Sequence, residues 1–364
     1  MYFGLSEDQK MLQDSVGRYL ETASELEAVR GFIAGDMALA TSVQSGLMDL
    51  GVPLALIPEA QGGLGMGVLE AALIQQMLGR YITPSGFSAT YGMAVTALRR
   101  GASPAQQDDW LGRMASGDVV MATGLTEAVG ARDGAGLSLD NGKLSGRASF
   151  VMGNELATHY LLTTGDALVI VARDAAGISE TALTTIDKTR HVVTLDIDGM
   201  AAEVLDGNDM AAATEATLNT GRLLLAADSF GAAEMMLEKA VAYAKEREQF
   251  NRPIGSFQAV KHMCAEMAAK LEPCRALVWY AAYAQDNVPE EAGLMARLAK
   301  AHVSEVGKYV ARTSTEVHGG MGFTDLLGLH YWFKRIGANR QLLGGPQALR
   351  AEAAALQGWG QDAA

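Results

Sequence analysis

Leu5, Met11, Leu12, Val16 and Leu20 recur at roughly helical spacing, with Glu, Gln and Arg filling the positions between them, and the pattern persists to about Arg113. It predicts a helical block cut into several helices by punctuation. The clearest cut runs from Gly51 to Gly67, where Pro53, Pro58, Gly62, Gly63 and Gly65 preclude a continuous helix. The glycine spacing there matches no dinucleotide fingerprint and no βαβ unit surrounds it, so the segment reads as a backbone-packing loop. At Val119 the period shortens. Val119–Thr126, Leu137–Leu139, Lys143–Val151, Tyr160–Thr164 and Ala167–Ala172 are short β-rich runs, and Asp140-Asn141-Gly142 between two of them predicts a hairpin turn. After Asp209, Ala-rich segments with Leu, Met and Val three and four residues apart return to helix. The order is helices, a small and mostly antiparallel β-domain, helices: an α+β chain with expected domains 1–118, 119–209 and 210–364.

Composition narrows the function classes. With 49% hydrophobic and 20% charged residues over 364 positions the chain can bury a large core. Its 29 basic and 42 acidic residues give a net charge of -13 without any basic stripe, which argues against nucleic-acid and anionic-membrane surfaces. A polyanion such as coenzyme A would need a local basic pocket. Met1 to Lys10 shows no basic segment followed by an apolar one, and no apolar run reaches spanning length, so the cytoplasm is the expected location. Cys264 and Cys274 fit neither a redox pair nor a zinc site, and are expected as buried thiols flanking a helix end at Pro273. The six histidines are scattered, without metal-ligand spacing.

Candidate chemistry lies in the last third. The helix ending near Phe250 is interrupted by Asn251-Arg252-Pro253-Ile254-Gly255, and Ser256 is placed to cap the next helix. Arg247 then stands at one helix end and Gln258 in the first turn of another, where a guanidinium and fresh helix amides both favour a pyrophosphate. Gly319-Gly320 after a long helix lets backbone approach a ligand closely. Each feature alone also fits an ordinary ion pair, an N-terminal polar residue or a C-capping glycine pair. Glu238-Lys239 and Lys245-Glu246-Arg247-Glu248 read mainly as a solvated face, Met235, Met236, Met263 and Met267 as core, and Trp332-Phe333 as a candidate interface.

Together, Arg247-Glu248-Gln249-Phe250, Phe257-Gln258 and His318-Gly319-Gly320-Met321-Gly322-Phe323 resemble the acyl-CoA dehydrogenase family. Leu5-Ser6-Glu7-Asp8, the Gly51–Gly65 segment, Leu78-Gly79-Arg80 and Leu125-Thr126-Glu127 fall in family order, so the resemblance covers nearly the whole chain. It implies a barrel-like antiparallel middle domain, a C-terminal four-helix bundle, FAD, an acyl-CoA substrate, a chain that is not a monomer, and electron-transfer flavoprotein as a candidate acceptor. The implied reaction removes an α-proton with a carboxylate while a hydride leaves the β-carbon.

The resemblance divides the flavin contacts into two sets. Residues reaching a neighbour's cofactor match Arg247, Gln249, Phe250, Gln258, Gly319 and Gly320, with Glu316 where glutamine is usual. Residues seating the flavin in the chain's own cleft are altered. Thr126 and Glu127 remain, but Ala128 replaces proline, Ala131-Arg132 replaces Gly-Ser, Phe150 replaces tryptophan and Met152 replaces a hydroxyl residue. The family's base falls on Gly344, and the alternative base before an arginine falls on Gly221. Three readings follow. The chain is a base-lacking subunit beside a second acyl-CoA dehydrogenase-like chain, as in bacterial α2β2 steroid side-chain enzymes; or a self-sufficient homo-oligomer with a displaced carboxylate at Asp228, Glu234 or Glu316; or a non-catalytic binding or scaffolding protein. A blocked acyl cavity, hinted at by Met152 and Arg132, would favour the last.

Overall fold

A computed structural model of the chain describes residues 4–130 and 134–359. Ser6 opens α1 (Glu7–Ala23) with a reciprocal capping box to Gln9. Then come α2 (Leu26–Ile33), α3 (Ala38–Asp49), the expected loop with two short 3-10 turns, α4 (Val68–Arg80), a π-helical stretch Ser88–Ala94 running into α5 (Val95–Gly101), and α6 (Pro104–Ala115).

The strands are β1 (Met121–Gly124), β2 (Gly136–Asp140), β3 (Lys143–Met152), β4 (His159–Thr163), β5 (Leu168–Ala172), β6 (Ile178–Ala182), β7 (Val192–Ala201) and β8 (Glu203–Val204). They form one sheet in the order β6-β7-β3-β1-β4-β5-β8, with β2 hairpinned onto β3. Asn141 and Gly142 take φ of 51° and 77°, the left-handed pair that a tight hairpin requires. Two features differ from the expected barrel-like antiparallel domain. The β1–β4 pair is parallel, and among the described residues the path ends at β6 and β8 without closing. The physical reason is coverage: one sheet face joins the helical core through Met121, Met152, Leu161 and Ile170. The other face builds its own core from Leu144, Tyr160, Leu162 and Val171.

Asp209 caps α7 (Met210–Glu246), its side chain accepting from Ala212 N at 2.9 Å. After the small hairpin of β9 (Glu248–Gln249) and β10 (Arg252–Pro253) come α8 (Gln258–Asn287), α9 (Pro289–His318), α10 (Leu329–Gln341) and α11 (Pro346–Leu356). Helix α7 is the hub, packing on α4, α8, α9 and α10. It meets α4 at glycines: a Cβ on Gly79 would strike Asp228 O, and one on Gly231 would strike Gln76 O. Two expectations about α8 are corrected. Phe257, not Ser256, is its N-cap, and no side chain caps it. Pro273 lies inside α8, on its exposed side, so the carbonyl it leaves unbonded faces water and the helix continues. Of the flanking thiols Cys274 is buried, with its pKa pushed up to about 12 by burial, while Cys264 is only half-buried.

Candidate functional site

The reaching residues converge at one end of the helical bundle. Tyr243, in the last turn of α7, stacks on His318 at the end of α9 with ring centroids 4.6 Å apart. That contact brings Arg247, whose N–H donates to Tyr243 O, to the side of Gly319. Ile254 N donates to Arg247 O at 2.7 Å and folds the hairpin back, so the start of α8 at Gln258 joins the group. Arg247 is exposed, and its guanidinium has no hydrogen-bond or ion-pair partner among the described residues. Gly319 has φ of +57°, and a Cβ on either Gly319 or Gly320 would meet nothing within 4 Å, so this backbone is open to a ligand. Gln258 lies 3.3 Å from His262 Nε2, Gln249 donates to Glu248 O at 2.8 Å, and Glu316 pairs with Arg312 at 2.9 Å.

Phe250 is the most prominent member. It and Asn251 take φ of 53° and 59° in a two-residue turn, and the ring stands 87% exposed. A bulky residue held in that region stores strain of about 1–3 kcal/mol, and the ring meets Phe257 edge-on with centroids 6.1 Å apart while most of its surface stays open. Phe323, 78% exposed, lies in the turn that carries Gly319.

The chain's own cleft is different. A bulge in β3 between Ala148 and Val151 gives Phe150 a φ of +55°, and Glu127 fixes it by accepting Ser149 N at 2.6 Å. Phe150 then lines a niche of about 200 Å³ against Ala338, Gln341 and Leu342 at the end of α10. Met152 is buried in the main core. Thr126 heads the turn Thr126–Val129, its side chain lying outside the described set, as do Ala131 and Arg132.

Both positions expected for the base are closed. A Cβ on Gly221 would lie 2.6 Å from Leu343 Cδ1 and 2.7 Å from Met93 Sδ. Gly344 takes φ of +108°, where a side chain is strained, and its Cβ would lie 2.9 Å from Leu349 Cδ2. Met93 and Leu343 are fully buried, filling the space beside Gly221. Glutamate placed at 221 is therefore expected to lower stability by about 1–3 kcal/mol through overpacking. Neither Gly221→Glu nor Gly344→Glu should dehydrogenate an acyl-CoA when the chain is purified alone; thermal unfolding and a dye-coupled assay of both variants check this.

The displaced-carboxylate candidates do not face a cleft. Asp228 is fully buried and accepts from Gln75 Nε2 at 2.7 Å, Arg335 Nε at 3.0 Å and Nη2 at 2.8 Å, and Asn339 Nδ2 at 2.7 Å. Arg190 Nη2 is 2.8 Å away as an ion pair without hydrogen-bond alignment. Burial pushes this carboxyl's pKa up, but Arg190 and Arg335 outweigh it and hold the group far below the carboxylate range. Glu234 is largely buried between Gln76 and Arg275, its pKa raised by burial. Neither solvates a helix face, and Glu316 sits on the open arm.

Sequence reasoning missed two things: the buried network around Asp228, and Lys300. Lys300 is fully buried beneath the α10–α11 turn, its Nζ 3.4 Å from Arg340 O and 3.5 Å from Gly344 O. Burial, then Arg222 and Arg340, lowers its pKa to about 7. Arg222 Nε meanwhile donates to Leu343 O at 3.0 Å, holding Leu343 over Gly221.

Comparison with known proteins gives a consistent picture. Residues 6–118 match the acyl-CoA dehydrogenase N-terminal domain, and residues 210–355 match the acyl-CoA dehydrogenase C-terminal domain. The chain is 32% identical to acyl-CoA dehydrogenase IpdE2 of Mycobacterium tuberculosis, over 94% of each chain. It superposes with a TM-score of 0.87 on a variant of the Tcur3481-Tcur3483 steroid ACAD, at 27% identity, covering 97% of this chain and 98% of that one. The ChsE4-ChsE5 complex from Mycobacterium tuberculosis gives 0.87 at 26% identity, covering 98% and 99%.

Proposed function

This chain belongs to the acyl-CoA dehydrogenase family, oxidoreductases that act on acyl-CoA, and from that premise we propose that it is the base-lacking subunit of a heteromer, lending its Arg247 arm to FAD seated in a partner chain. The observation that carries this reading is the contrast between the two ends of α7. At Gly221 the cleft is closed, whereas at Arg247 the arm is open. The two positions lie 26 residues apart, about 39 Å along a helix. A flavin ring and its pyrophosphate are joined only by a five-carbon chain, so the arm serves a cofactor other than one in this chain's cleft.

When bound, FAD accepts the hydride from the β-carbon of the thioester. The residues present fit its anionic part. Arg247 supplies forked donors for a pyrophosphate, the uncapped N-terminus of the 30-residue α8 adds amides of the same polarity, and Gly319-Gly320 allows close backbone approach. Phe250 supplies an apolar ring across the subunit boundary. The partner contributes the base and the acyl cavity. The steroid ACAD and ChsE4-ChsE5 relatives support a bulky CoA thioester as substrate and a second family member as partner; electron-transfer flavoprotein is the proposed acceptor.

Purified alone, the chain is expected to hold less than about 0.1 FAD per chain and to lack turnover. Co-purified with a partner that keeps the glutamate, it should give one FAD per pair. Arg247→Ala should reduce FAD retention by the pair at least tenfold, since a charge-assisted contact contributes about 1.5–3 kcal/mol. Stoichiometric FAD with normal turnover by the chain alone would overturn the assignment.

A further inference from the structure

The turn between α10 and α11 is held from outside rather than by itself. Leu343 and Gly344 take φ of 56° and 108°, a consecutive pair in which the leucine is strained. The N–H groups of Leu343, Gly344 and Gly345 make no backbone hydrogen bond among the described residues. Buried cations pin the turn by its carbonyls. Arg222 Nε donates to Leu343 O at 3.0 Å, and Lys300 Nζ to Arg340 O and Gly344 O at 3.4 and 3.5 Å, longer than an ordinary N–H to oxygen contact. So pinned, the turn keeps Leu343 fully buried against Gly221.

Lys300 is the odd charge of its cluster. Around it α7 presents Arg222 and Glu215, α9 itself Arg297 and Glu305, α10 Arg340 and α11 Glu352. Arginine takes every one of these carboxylates: Glu215 by Arg297 at 2.7 Å, Glu305 by Arg340 at 2.6 Å, and Glu352 by Arg297 at 2.7 Å and Arg222 at 3.2 Å. The charges that act on Lys300 Nζ are Arg222 and Arg340, both positive, and α8, also packed on α9, adds none among the described residues. A fully buried ammonium without a counter-ion is costly, and access to water relieves it. The cover that this amine pins is the strained turn.

We propose that the α10–α11 turn is a proton-driven lid: with Lys300 charged the turn swings outward, Nζ reaches water, and Leu343 leaves Gly221, opening the cleft that the closed turn seals. The closed form holds this proton only up to about pH 7, because of burial and then of Arg222 and Arg340, whereas the open form holds it to about the usual 10.5. Opening therefore rises about tenfold per pH unit as pH falls from about 10 to about 7, and levels off below. The test is hydrogen exchange in the full chain between about pH 7.5 and 9.5, corrected for intrinsic rates, at Leu342 N and Leu349 N, which donate to Ala338 O and Gly345 O on either side of the turn. Protection there should rise about tenfold per pH unit, lie below that of β4 in the middle of the sheet, and change little in dilute urea, because a lid exposes little surface. Gly344→Ala, strained in the closed turn, should lower protection at every pH with the slope kept, and Lys300→Met should abolish the slope. Protection independent of pH in the natural chain, protection equal to that of β4, or the same slope in Lys300→Met would each overturn the proposal, the first two without need of any variant.

Discussion

Replacing Asp228 with alanine is expected to remove about 3–5 kcal/mol of stability, because it leaves the fully buried guanidinium of Arg335 without its carboxylate. Against a typical total of about 5–15 kcal/mol, that loss takes a large share of the folding free energy. The effect is large because one carboxylate ties three parts of the chain together: Gln75 on α4, Arg190 before β7, and Arg335 and Asn339 on α10. Arg335 carries the tie onward to Thr83 O at 2.8 Å and Thr189 Oγ1 at 3.2 Å. Urea unfolding should show a lower midpoint at an unchanged slope. Removing Asp228 and Arg335 together should cost less than the sum of the single losses, and strict additivity would refute the coupling.

The same carboxylate sets an acid limit. Its pKa is depressed in the folded chain below the usual 3.8, so the unfolded chain takes up the proton first as pH falls. The contribution is whole above the usual value and is lost as pH drops from there toward the folded-state value. In Asp228→Asn that part of the acid dependence should vanish, which stability curves between about pH 5 and 2 would reveal.

Much of this was legible in the sequence because it depends on local signals. The change of period at Val119, the Asn141-Gly142 turn and Asp209 ahead of α7 each act within a few residues. The arm was legible for the same reason: Arg247, Gln258 and Gly319 lie at helix ends that punctuation marks. What escaped is set by distance in the chain. Pairing β1 parallel to β4, or placing Arg190 against Asp228, requires knowing which segments meet. Charge on a helix usually faces water, so nothing local marks Asp228 and Glu234 as buried; the glycine crossing with α4 reveals that this stretch of α7 is interior. Gly221 and Gly344 read as vacant base positions, but the sequence could not say that Leu343 and Met93 had already filled the space.

Lys300 gives the second large effect, of opposite sign. The unfolded chain holds this proton up to about the usual 10.5, the folded chain only up to about 7, so between those values the unfolded state binds more protons. Stability contributed at this site therefore rises with pH through that window, by at most about 1.4 kcal/mol per pH unit, and is at its lowest below neutrality. Lys300→Met removes a buried charge whose hydrogen-bond partners among the described residues are two carbonyls at 3.4 and 3.5 Å, so the variant should be more stable near pH 7 by about 1–4 kcal/mol. The gain should shrink toward pH 10, and a constant difference across the window would mean that Lys300 keeps an ordinary pKa. The site matters because the carbonyls it holds, Arg340 O and Gly344 O, bracket Leu343, the side chain that closes Gly221. A more stable Lys300→Met chain that still fails to retain FAD alone would separate the closure of the cleft from the titration of the lysine beneath it.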